Sequence, residues 1–484
     1  MKKEKDSIRV SFVDSMSSED VTGSCIYVKT PHHNILLDCG MRQTNDRYKD
    51  FLVNKRRPKE FKPQDIDIIF VSHQHIDHIG LIPKMFAMGC DSQVIVADQN
   101  KSVMELMLND CANINDRDVV IINSQHDTKY APLYTTEDVA KTIQHTKQYN
   151  INYKYYIDDE LSFMLIPNGH LLGSVQILLY LTVNNVTKTL LYTGDIGSNK
   201  VYNPFVGKFV PVKNADYVIG ECTYGDRPKQ KNDKKDRKND IDKLHSIIET
   251  QVKEMNGRVI IPSFAQSRAQ ELAYFIYQLY KDEDWQPTVY VDSPLAVNIF
   301  KEYDCILDED ERKEFDKMLK WEKLKLITES EDSKILTESD EPCVIIATSG
   351  MCTVGRIRHH FKKNVPNPNS TVLFVGYSTE GSLASLLKDP KTKTLTIDQK
   401  EYPCRCSVYS LKSLSGHAMY SQLMNYYTSI NSQRIILHHG SKEAKEYFAK
   451  DLKQQLEKNC KTTKVVVSNS SLKFSLYYKG GNHI

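Results

Sequence analysis

One ten-residue segment, Val71 to Gly80, limits the fold of this chain more than any other. It reads Val-Ser-His-Gln-His-Ile-Asp-His-Ile-Gly and sets four polar side chains at the spacing H-x-H-x-D-H: His73, His75, Asp77 and His78. The apolar, β-branched run from residue 66 to 71 predicts a buried strand before the motif, and residues 80–88 predict a helix after it. The junction of a strand and a helix is a usual place for function on an α/β scaffold.

Imidazole and carboxylate groups in this pattern are ligands that suit a borderline metal such as Zn²⁺. His73 and His75 are two residues apart and can reach one ion, while Asp77 and His78 can reach a second ion beside it. The alternative is a polar surface loop that binds nothing. The chain has only 15 histidines in 484 residues, so three of them beside one aspartate at these offsets favour the metal site.

Further candidate ligands stand at the ends of later predicted strands. A site with two ions needs about six or seven ligands, and the first motif supplies only part of that set. Three predicted strands, 161–167, 188–193 and 434–437, lead into His170, Asp195 and the pair His438 and His439. Asp38, just before a glycine turn, is either an ordinary turn residue or a residue that orients a ligand from behind.

Length and composition indicate a two-domain globular protein. At 484 residues the chain exceeds one ordinary core, and no run approaches the roughly 18 apolar residues of a membrane span. No apolar stretch follows the first residues, so no signal peptide is expected. Eleven cysteines without a C-x-x-C pair predict free thiols in the reducing cytoplasm. The net charge of +2 is unlike that of a strongly basic nucleic-acid binder, so a polyanionic substrate would be attracted by a local groove and by the metals.

The middle of the chain has a different pattern. Strand-like and helix-like runs alternate from Arg258 to Val375, which predicts a parallel sheet with helices on both faces. The expected fold class is therefore α/β, with one metal-bearing domain interrupted by an inserted α/β domain. The predicted boundaries are 1–207 and 396–484 for the two parts of the metal-bearing domain and 208–395 for the insertion. Cys404 and Cys406 are expected to alternate along a strand and fill the core.

Together these residues resemble the metallo-β-lactamase superfamily, and the insertion resembles the β-CASP domain of its nucleic-acid-processing members. The similarity extends over nearly the whole chain. It is strongest with the bacterial and archaeal β-CASP ribonucleases, relatives of ribonuclease J and of the endonuclease of pre-mRNA 3′-end processing. Further matches in the family's order are 221–227 (Glu-Cys-Thr-Tyr-Gly-Asp-Arg), 261–265 (Ile-Pro-Ser-Phe-Ala), 292–296 (Asp-Ser-Pro-Leu-Ala), 349–352 (Ser-Gly-Met-Cys), 415–418 (Ser-Gly-His-Ala) and 439–440 (His-Gly).

The resemblance implies a four-layer αββα metallo-β-lactamase domain with an inserted β-CASP domain. It implies a hydrolase that cleaves single-stranded RNA internally, from the 5′ end, or in both ways. Two Zn²⁺ ions, with Mn²⁺ as the alternative, would activate the attacking hydroxide. The implied ligands are His73, His75 and His170 for one ion and Asp77, His78 and His439 for the other, with Asp195 shared by both. The histidine at position 439 favours RNA over DNA.

By the same resemblance, Glu221 and His417 join Asp77 and Asp195 as catalytic residues. His417 is the expected acid for the leaving 3′ oxygen, since only histidine has an unperturbed pKa near neutrality, and Glu221 would pair with it. The alternative for His417 is a structural role in a Ser-Gly turn. Phosphates on either side of the cut are expected to contact hydroxyls, backbone N–H groups and guanidinium groups of Ser263, Arg268, Ser349, Gly350 and Arg356. Arg268 as a plain helix-surface charge is the alternative reading.

Other functions stay open from the sequence. They are a β-CASP DNA hydrolase, a small-molecule hydrolase such as a thioesterase or lactonase, and a non-catalytic scaffold. The inserted domain and His417 argue against small substrates, and the complete ligand set argues against a scaffold. Met419 and Ser441 depart from the family pattern, which bears on substrate preference. The RNA target, protein partners and a homodimer are left open.

Overall fold

A computed structural model describes residues 7–13, 22–44, 46–98, 100–198, 205, 207–228, 234–307, 309–376, 378, 381–470 and 472–476. The described residues form two compact units. The first unit contains those of 1–199, 206–230 and 417–484, and the second contains those of 200–205 and 231–416. Within the described ranges, no helix is long and apolar enough to cross a membrane.

The first unit contains two large sheets. The strands of the first sheet are β1 (Ile8–Phe12), β2 (Ile26–Lys29), β3 (Asn34–Leu37), β4 (Ile68–Phe70), β5 (Gln93–Ala97), β6 (Thr146–Tyr149) and β22 (Lys473–Leu476). They lie in the order β22-β1-β2-β3-β4-β5-β6, antiparallel as far as β3 and parallel from β3 to β6. Alternate side chains of a strand share one face, and the register partners Val10 and Val28 are both fully buried.

The second sheet carries most of the residues that follow the metal motif. Its strands are β7 (Lys154–Tyr156), β8 (Leu161–Pro167), β9 (Val175–Val183), β10 (Val186–Tyr192), β11 (Tyr217–Glu221), β20 (Arg434–His438) and β21 (Lys464–Val467). They lie in the order β21-β20-β11-β10-β9-β8-β7. Strands β10, β11 and β20 are parallel neighbours, so the residues at their carboxyl ends meet at one edge of the sheet.

The two sheets pack face to face through a core that includes Phe12, Phe70, Phe163 and Ile177. The helices of the amino-terminal part are α1 (Arg47–Asn54), α2 (Ile76–Ile79), α3 (Ile82–Ala87), α4 (Lys101–His126) and α5 (Thr136–Gln144), with a 3-10 turn at Pro63–Asp65. The helices α13 (Tyr420–Ser429) and α14 (Lys442–Lys458) pack on the outer face of the second sheet. On the other side α4 contacts α5 and β6. The predicted αββα order of layers is confirmed.

The second unit has one parallel sheet with helices around it. Its strands are β12 (Arg258–Ser263), β13 (Val289–Asp292), β14 (Leu324–Ile327), β15 (Cys343–Thr348), β16 (Ser370–Val375) and β19 (Ser407–Leu411), beside a hairpin of β17 (Thr394–Ile397) and β18 (Lys400–Pro403). The sheet order is β14-β13-β15-β12-β16-β19, and each neighbouring pair is parallel. The helices are α6 (Lys234–Ile248) with a π-helical turn at Glu249–Glu254, α7 (Arg268–Tyr280), α8 (Pro294–Ile306), α9 (Glu309–Leu319), α10 (Ser330–Glu338), α11 (Ile357–Asn364) and α12 (Leu383–Lys388).

The second unit differs from the predicted insertion, 208–395, at both ends. Strand β11 belongs to the first unit because it pairs with β10 on one side and β20 on the other. Strand β19 belongs to the second unit because it pairs with β16. Cys404 and Cys406 lie between β18 and β19 and not on a strand, although both pack against the core of the second unit as predicted.

Candidate metal centre

The H-x-H-x-D-H segment follows β4, within the predicted strand-to-helix junction. His73 and His75 lie in the connection, and Asp77 and His78 lie in α2, a single turn of helix that the sequence did not predict. The other candidate ligands follow strands of the second sheet: His170 after β8, Asp195 after β10 and His439 after β20. The structure brings all seven residues together at the ends of these strands.

Four of the seven residues form a first ligand group: His73, His75, His170 and Asp195. One donor atom from each lies within 4.8 Å of the others. His75 Nδ1 is 3.2 Å from His73 Nε2 and 3.3 Å from His170 Nε2. Asp195 Oδ2 is 3.6 Å from His73 Nε2 and 3.7 Å from His170 Nε2. The donor atoms therefore converge on one small volume.

The remaining three residues, Asp77, His78 and His439, form a second ligand group. Asp77 Oδ2 is 3.3 Å from His439 Nε2 and 3.8 Å from His78 Nε2. The other oxygen of Asp195, Oδ1, is 3.4 Å from His78 Nε2 and 3.1 Å from His439 Nδ1. The two oxygens of Asp195 thus face different ligand groups.

The burial and the hydrogen bonding of these side chains favour a bound metal. Five of the seven are buried and the other two, His75 and Asp77, are half-buried. His78 Nε2 and Asp195 Oδ1 make no hydrogen bond to any group in the described ranges. A buried polar atom without a partner costs about 1–3 kcal/mol, and coordination of a cation would remove that cost. Imidazole and carboxylate donors fit Zn²⁺ and similar divalent ions.

The pKa shifts of His73, His75 and Asp77 match those of metal ligands, whereas that of His78 reflects the carboxylates around it. Burial lowers the pKa of His75 to about 4 and that of His73 well below its usual range, so both rings are neutral, the form that binds metal. Burial alone would raise the pKa of Asp77, but the charges of His78 and His439 outweigh it and lower that pKa to about 2. Burial opposes protonation of His78, yet the nearby carboxylates, Asp195 first, raise its pKa well above its usual range.

Asp38 holds His78 from behind. Its Oδ2 accepts hydrogen bonds from His78 Nδ1, Tyr192 Oη and Ser72 Oγ, each at 2.7 Å. Its Oδ1 accepts from the backbone N–H of Ser72, also at 2.7 Å. Because Nδ1 of His78 is occupied, Nε2 is the nitrogen that faces the ligand group. The structure thus favours the orienting role over the plain turn role for Asp38, and it adds Ser72 and Tyr192, which the sequence did not predict.

Close backbone packing positions the loops that carry the ligands. A Cβ atom at Gly40 would lie 1.7 Å from the carbonyl oxygen of Asp77, and one at Gly197 would lie 1.6 Å from the carbonyl oxygen of Gly169. Asn168 joins neighbouring strand ends, since its Oδ1 accepts from His170 N and its Nδ2 donates to the carbonyl oxygens of Val175, at the start of β9, and Thr193, after β10, all at 3.1 Å. The ligand loops are therefore held by backbone contacts.

Glu221 and His417 form a pair beside the first ligand group. Glu221 Oε1 lies 3.4 Å from His417 Nδ1 and accepts a hydrogen bond from Ile196 N at 3.0 Å, while Oε2 accepts from Thr223 N at 2.8 Å. Burial opposes protonation of His417, but the hydrogen bond and the charge of Glu221 raise its pKa. The ring centre of His417 is 4.7 Å from that of His170. His417 therefore lies next to a ligand without belonging to either ligand group.

The two histidines at the end of β20 lie in different surroundings. His439 has a left-handed backbone, with φ of 44°, and its Nδ1 lies 3.2 Å from Thr223 Oγ1. His438 is instead buried 5.1 Å from the ring of Phe12 and contacts Ser468 Oγ at 3.3 Å. The strand ends at His438, and the left-handed backbone of His439 turns the chain there, so only His439 reaches the other ligands. Thr223, two residues after Glu221, is another contact that the sequence did not predict.

The five predicted phosphate contacts all lie in the second unit. Ser263 ends β12 beside Thr348 of β15, and Ser349 and Gly350 follow β15. The hydroxyls of Ser263 and Ser349 donate to the carbonyl oxygens of Phe264 and Val354, each at 3.1 Å. The two serines and the glycine therefore share one edge of the sheet.

The two arginines of that set have carboxylate partners. Arg268 forms an ion pair with Glu271, one helical turn away. Arg356 donates to Asp292 Oδ1 at 2.7 Å and to the carbonyl oxygen of Thr328 at 2.6 Å. Arg268 is therefore paired with a carboxylate and is not a plain helix-surface charge. Both guanidinium groups form contacts within the second unit.

Three family models match successive parts of the chain. The metallo-beta-lactamase superfamily matches residues 19–86, which include the H-x-H-x-D-H segment. The Beta-Casp domain matches residues 269–387. The Zn-dependent metallo-hydrolase RNA specificity domain matches residues 401–463, which include His417 and His439. With the clustered donors, these matches indicate a metal cofactor.

Relatives of known name align with most of the chain. Ribonuclease TTHA0252 of Thermus thermophilus is 29% identical over 436 residues, which is 88% of this chain and 92% of that protein. Probable RNase MJ4 of Methanocaldococcus jannaschii is 30% identical over 434 residues, or 87% of this chain and 91% of that protein. A solved structure of a protein of unknown function from Enterococcus faecalis V583 aligns at a TM-score of 0.53 and 13% identity, covering 97% of this chain and 100% of the other. This last likeness shows the fold alone.

Proposed function

The chain belongs to the β-CASP branch of the metallo-β-lactamase superfamily, and we propose that it is a metal-dependent ribonuclease that hydrolyses single-stranded RNA. One observation carries the proposal: the two oxygens of Asp195 face two separate groups of buried ligands. A pair of ions held side by side is the arrangement that proteins use to act on phosphodiester bonds. The match of residues 401–463 to an RNA specificity domain and the relatives named as ribonucleases favour RNA over DNA.

In this proposal each ligand group holds one ion. His73, His75 and His170 would hold the first Zn²⁺, and Asp77, His78 and His439 the second, with Asp195 shared; Mn²⁺ accepts the same donors. Bound there, the ions supply an activated water and neutralise the phosphoryl oxygens. The protein's own contribution is to keep the imidazoles of His73 and His75 neutral by burial and to fix the orientation of a ligand ring, as Asp38 does for His78.

The leaving 3′ oxygen needs a proton, and we assign that role to His417. Its Nδ1 faces Glu221 Oε1, so Nε2 is the nitrogen that would donate. Glu221 is itself held by the N–H groups of Ile196 and Thr223, which fixes the orientation of the imidazole. In this assignment Glu221 and His417 act on the proton and leave the ions in place.

Contacts to the flanking phosphates are assigned to the second unit. Ser263, Ser349 and Gly350 lie at one sheet edge and would offer hydroxyl and backbone N–H groups. Arg268 and Arg356 would share their guanidinium N–H groups between a phosphate and their carboxylate partners, Glu271 and Asp292. Their variants should therefore lose stability as well as RNA affinity.

Removal and return of the metal test this proposal. The chelated protein should cleave neither RNA nor DNA, and Zn²⁺ or Mn²⁺ should restore cleavage of unstructured RNA but not of the DNA of the same sequence. Cleavage that persists after complete chelation, or that is restored only for the DNA, would overturn it.

A further inference from the structure

The sheet of the second unit has a point at which its connections diverge. In the order β13-β15-β12-β16, the chain leaves β12 through α7 towards β13 but leaves β15 through α11 towards β16. Right-handed crossovers in opposite directions put the following helices on opposite faces. Accordingly α11 packs on the face of Ile260 and Ile345, whereas α7 contributes no residue to that cluster. The carboxyl ends of β12 and β15 therefore border a crevice, where open α/β sheets bind ligands.

An aromatic side chain lies at this crevice. Phe264 is the first residue after β12 and is 45% exposed. A Cβ atom at Gly350, after the neighbouring strand β15, would lie 3.1 Å from Phe264 Cε2, so the absence of a side chain there lets the ring lie against the backbone. An exposed ring that lies against the backbone at a strand end has little conformational freedom to lose when a base stacks on it.

The polar groups around Phe264 indicate which part of a nucleotide would bind. The nearby hydroxyls of Ser263 and Ser349 donate to backbone carbonyls. The guanidinium groups of Arg268 and Arg356 are paired with carboxylates. Both guanidinium groups thus already contact a carboxylate, and the ring face of Phe264 offers a different kind of contact, because an aromatic face binds any unpaired base by stacking.

We infer that Phe264, supported by Gly350, is a stacking site for one unpaired base of the RNA substrate, at the carboxyl edge of the second unit's sheet. This inference rests on the proposed ribonuclease function and extends it to a residue without a role in the metal centre. Stacking does not distinguish bases, so the site would fix the position of the strand and not its sequence.

Cleavage kinetics on unstructured RNA oligonucleotides test the site. Phe264→Ala and Phe264→Leu should each raise KM about tenfold, the loss expected for one stacked base, with kcat nearly unchanged. Phe264→Trp should keep the wild-type KM, and RNA should quench its fluorescence. Ile335→Ala, which removes a 62% exposed aliphatic side chain from the same unit, should keep the KM of the wild type. The leucine and tryptophan variants preserve bulk, so the test does not depend on the alanine variant folding.

Substrates that lack a single base locate the partner. For the wild type, removal of one base at one position should raise KM about tenfold, and Phe264→Ala should be insensitive to removal of that same base. Equal KM values for wild type, Phe264→Ala and Phe264→Leu, with metal-dependent cleavage intact, would overturn the stacking site while leaving the ribonuclease. A wild type that cleaves no RNA with both ions bound would instead overturn the proposed function.

Discussion

Asp38 accepts a hydrogen bond from Nδ1 of His78 at 2.7 Å, although the two residues are 40 positions apart in the chain. Both side chains are fully buried. The bond leaves Nε2 of His78 facing Asp195 Oδ1 at 3.4 Å. A carboxylate that accepts a hydrogen bond from a histidine ligand fixes the ring and makes it a better donor. We therefore expect metal affinity to depend on Asp38, which belongs to neither ligand group.

We therefore expect Asp38→Asn to weaken metal binding about 10- to 100-fold without unfolding the protein. Competition with a chromophoric chelator measures the apparent Kd. Asp216→Asn is the matched control, because Asp216 accepts hydrogen bonds from Thr189 and Gln433 in the same unit but contacts neither ligand group. Equal metal affinity for wild type and Asp38→Asn would contradict the orienting role.

His417→Ala should retain both ions and slow single-turnover cleavage by about 10²- to 10⁴-fold, the usual contribution of a general acid. Metal analysis of the purified variant and single-turnover kinetics check the two halves of this prediction. Glu221→Gln keeps the shape of the side chain next to His417 and should slow cleavage less than His417→Ala does. Loss of an ion from His417→Ala, with full rescue by added Zn²⁺, would make His417 a ligand instead of an acid.

Asp292 should stabilise the second unit. It accepts from Arg356 Nη1 at 2.7 Å, His360 Nε2 at 2.6 Å and Ser333 Oγ at 2.7 Å, fully buried. Removing one partner from such a buried cluster costs about 3 kcal/mol. Asp292→Asn should therefore lower the urea midpoint followed by tryptophan fluorescence, because both tryptophans, Trp285 and Trp321, belong to this unit. An unchanged midpoint would show that the cluster contributes little.

The same group predicts a pH dependence. Burial alone would raise the pKa of Asp292, but its hydrogen bonds to His360, Ser333 and Arg356 and the charge of His360 lower it. A carboxyl group with a depressed pKa stabilises the fold above its unfolded pKa, about 3.9, and loses that contribution as pH falls through the folded value. Below about pH 4 the difference in the free energy of unfolding between wild type and Asp292→Asn should therefore become smaller. A difference in the free energy of unfolding that stays constant down to pH 3 would contradict this prediction.

Much of the candidate metal centre could be predicted from the spacing of residues in the sequence. His73, His75, Asp77 and His78 are neighbours in the chain, so their pattern is visible without a structure. Asp195 and the pair His438 and His439 were recognisable because each follows a predicted strand, whereas the choice of His439 over His438 came from the family resemblance. These placements rest on short-range rules, and the structure brings the residues together as those rules require.

Contacts between distant residues were not predictable in the same way. Arg356 lies 64 positions from Asp292 and Tyr192 lies 154 positions from Asp38, and no spacing rule links such pairs. The predicted boundaries of the insertion differ from those of the second unit for a similar reason, since only strand pairing shows that β11 belongs to the first unit and β19 to the second.

The most direct test of the central claim compares wild type with Asp195→Asn on 5′-labelled single-stranded RNA, with the DNA of the same sequence as control. The wild type with Zn²⁺ should cleave the RNA. The variant should show no cleavage, because an amide cannot serve both ligand groups as the carboxylate does. Internal fragments would identify an endonuclease, and release of labelled mononucleotide a 5′-exonuclease. Wild-type activity in Asp195→Asn, or no cleavage of RNA by wild type with both ions bound, would contradict the account.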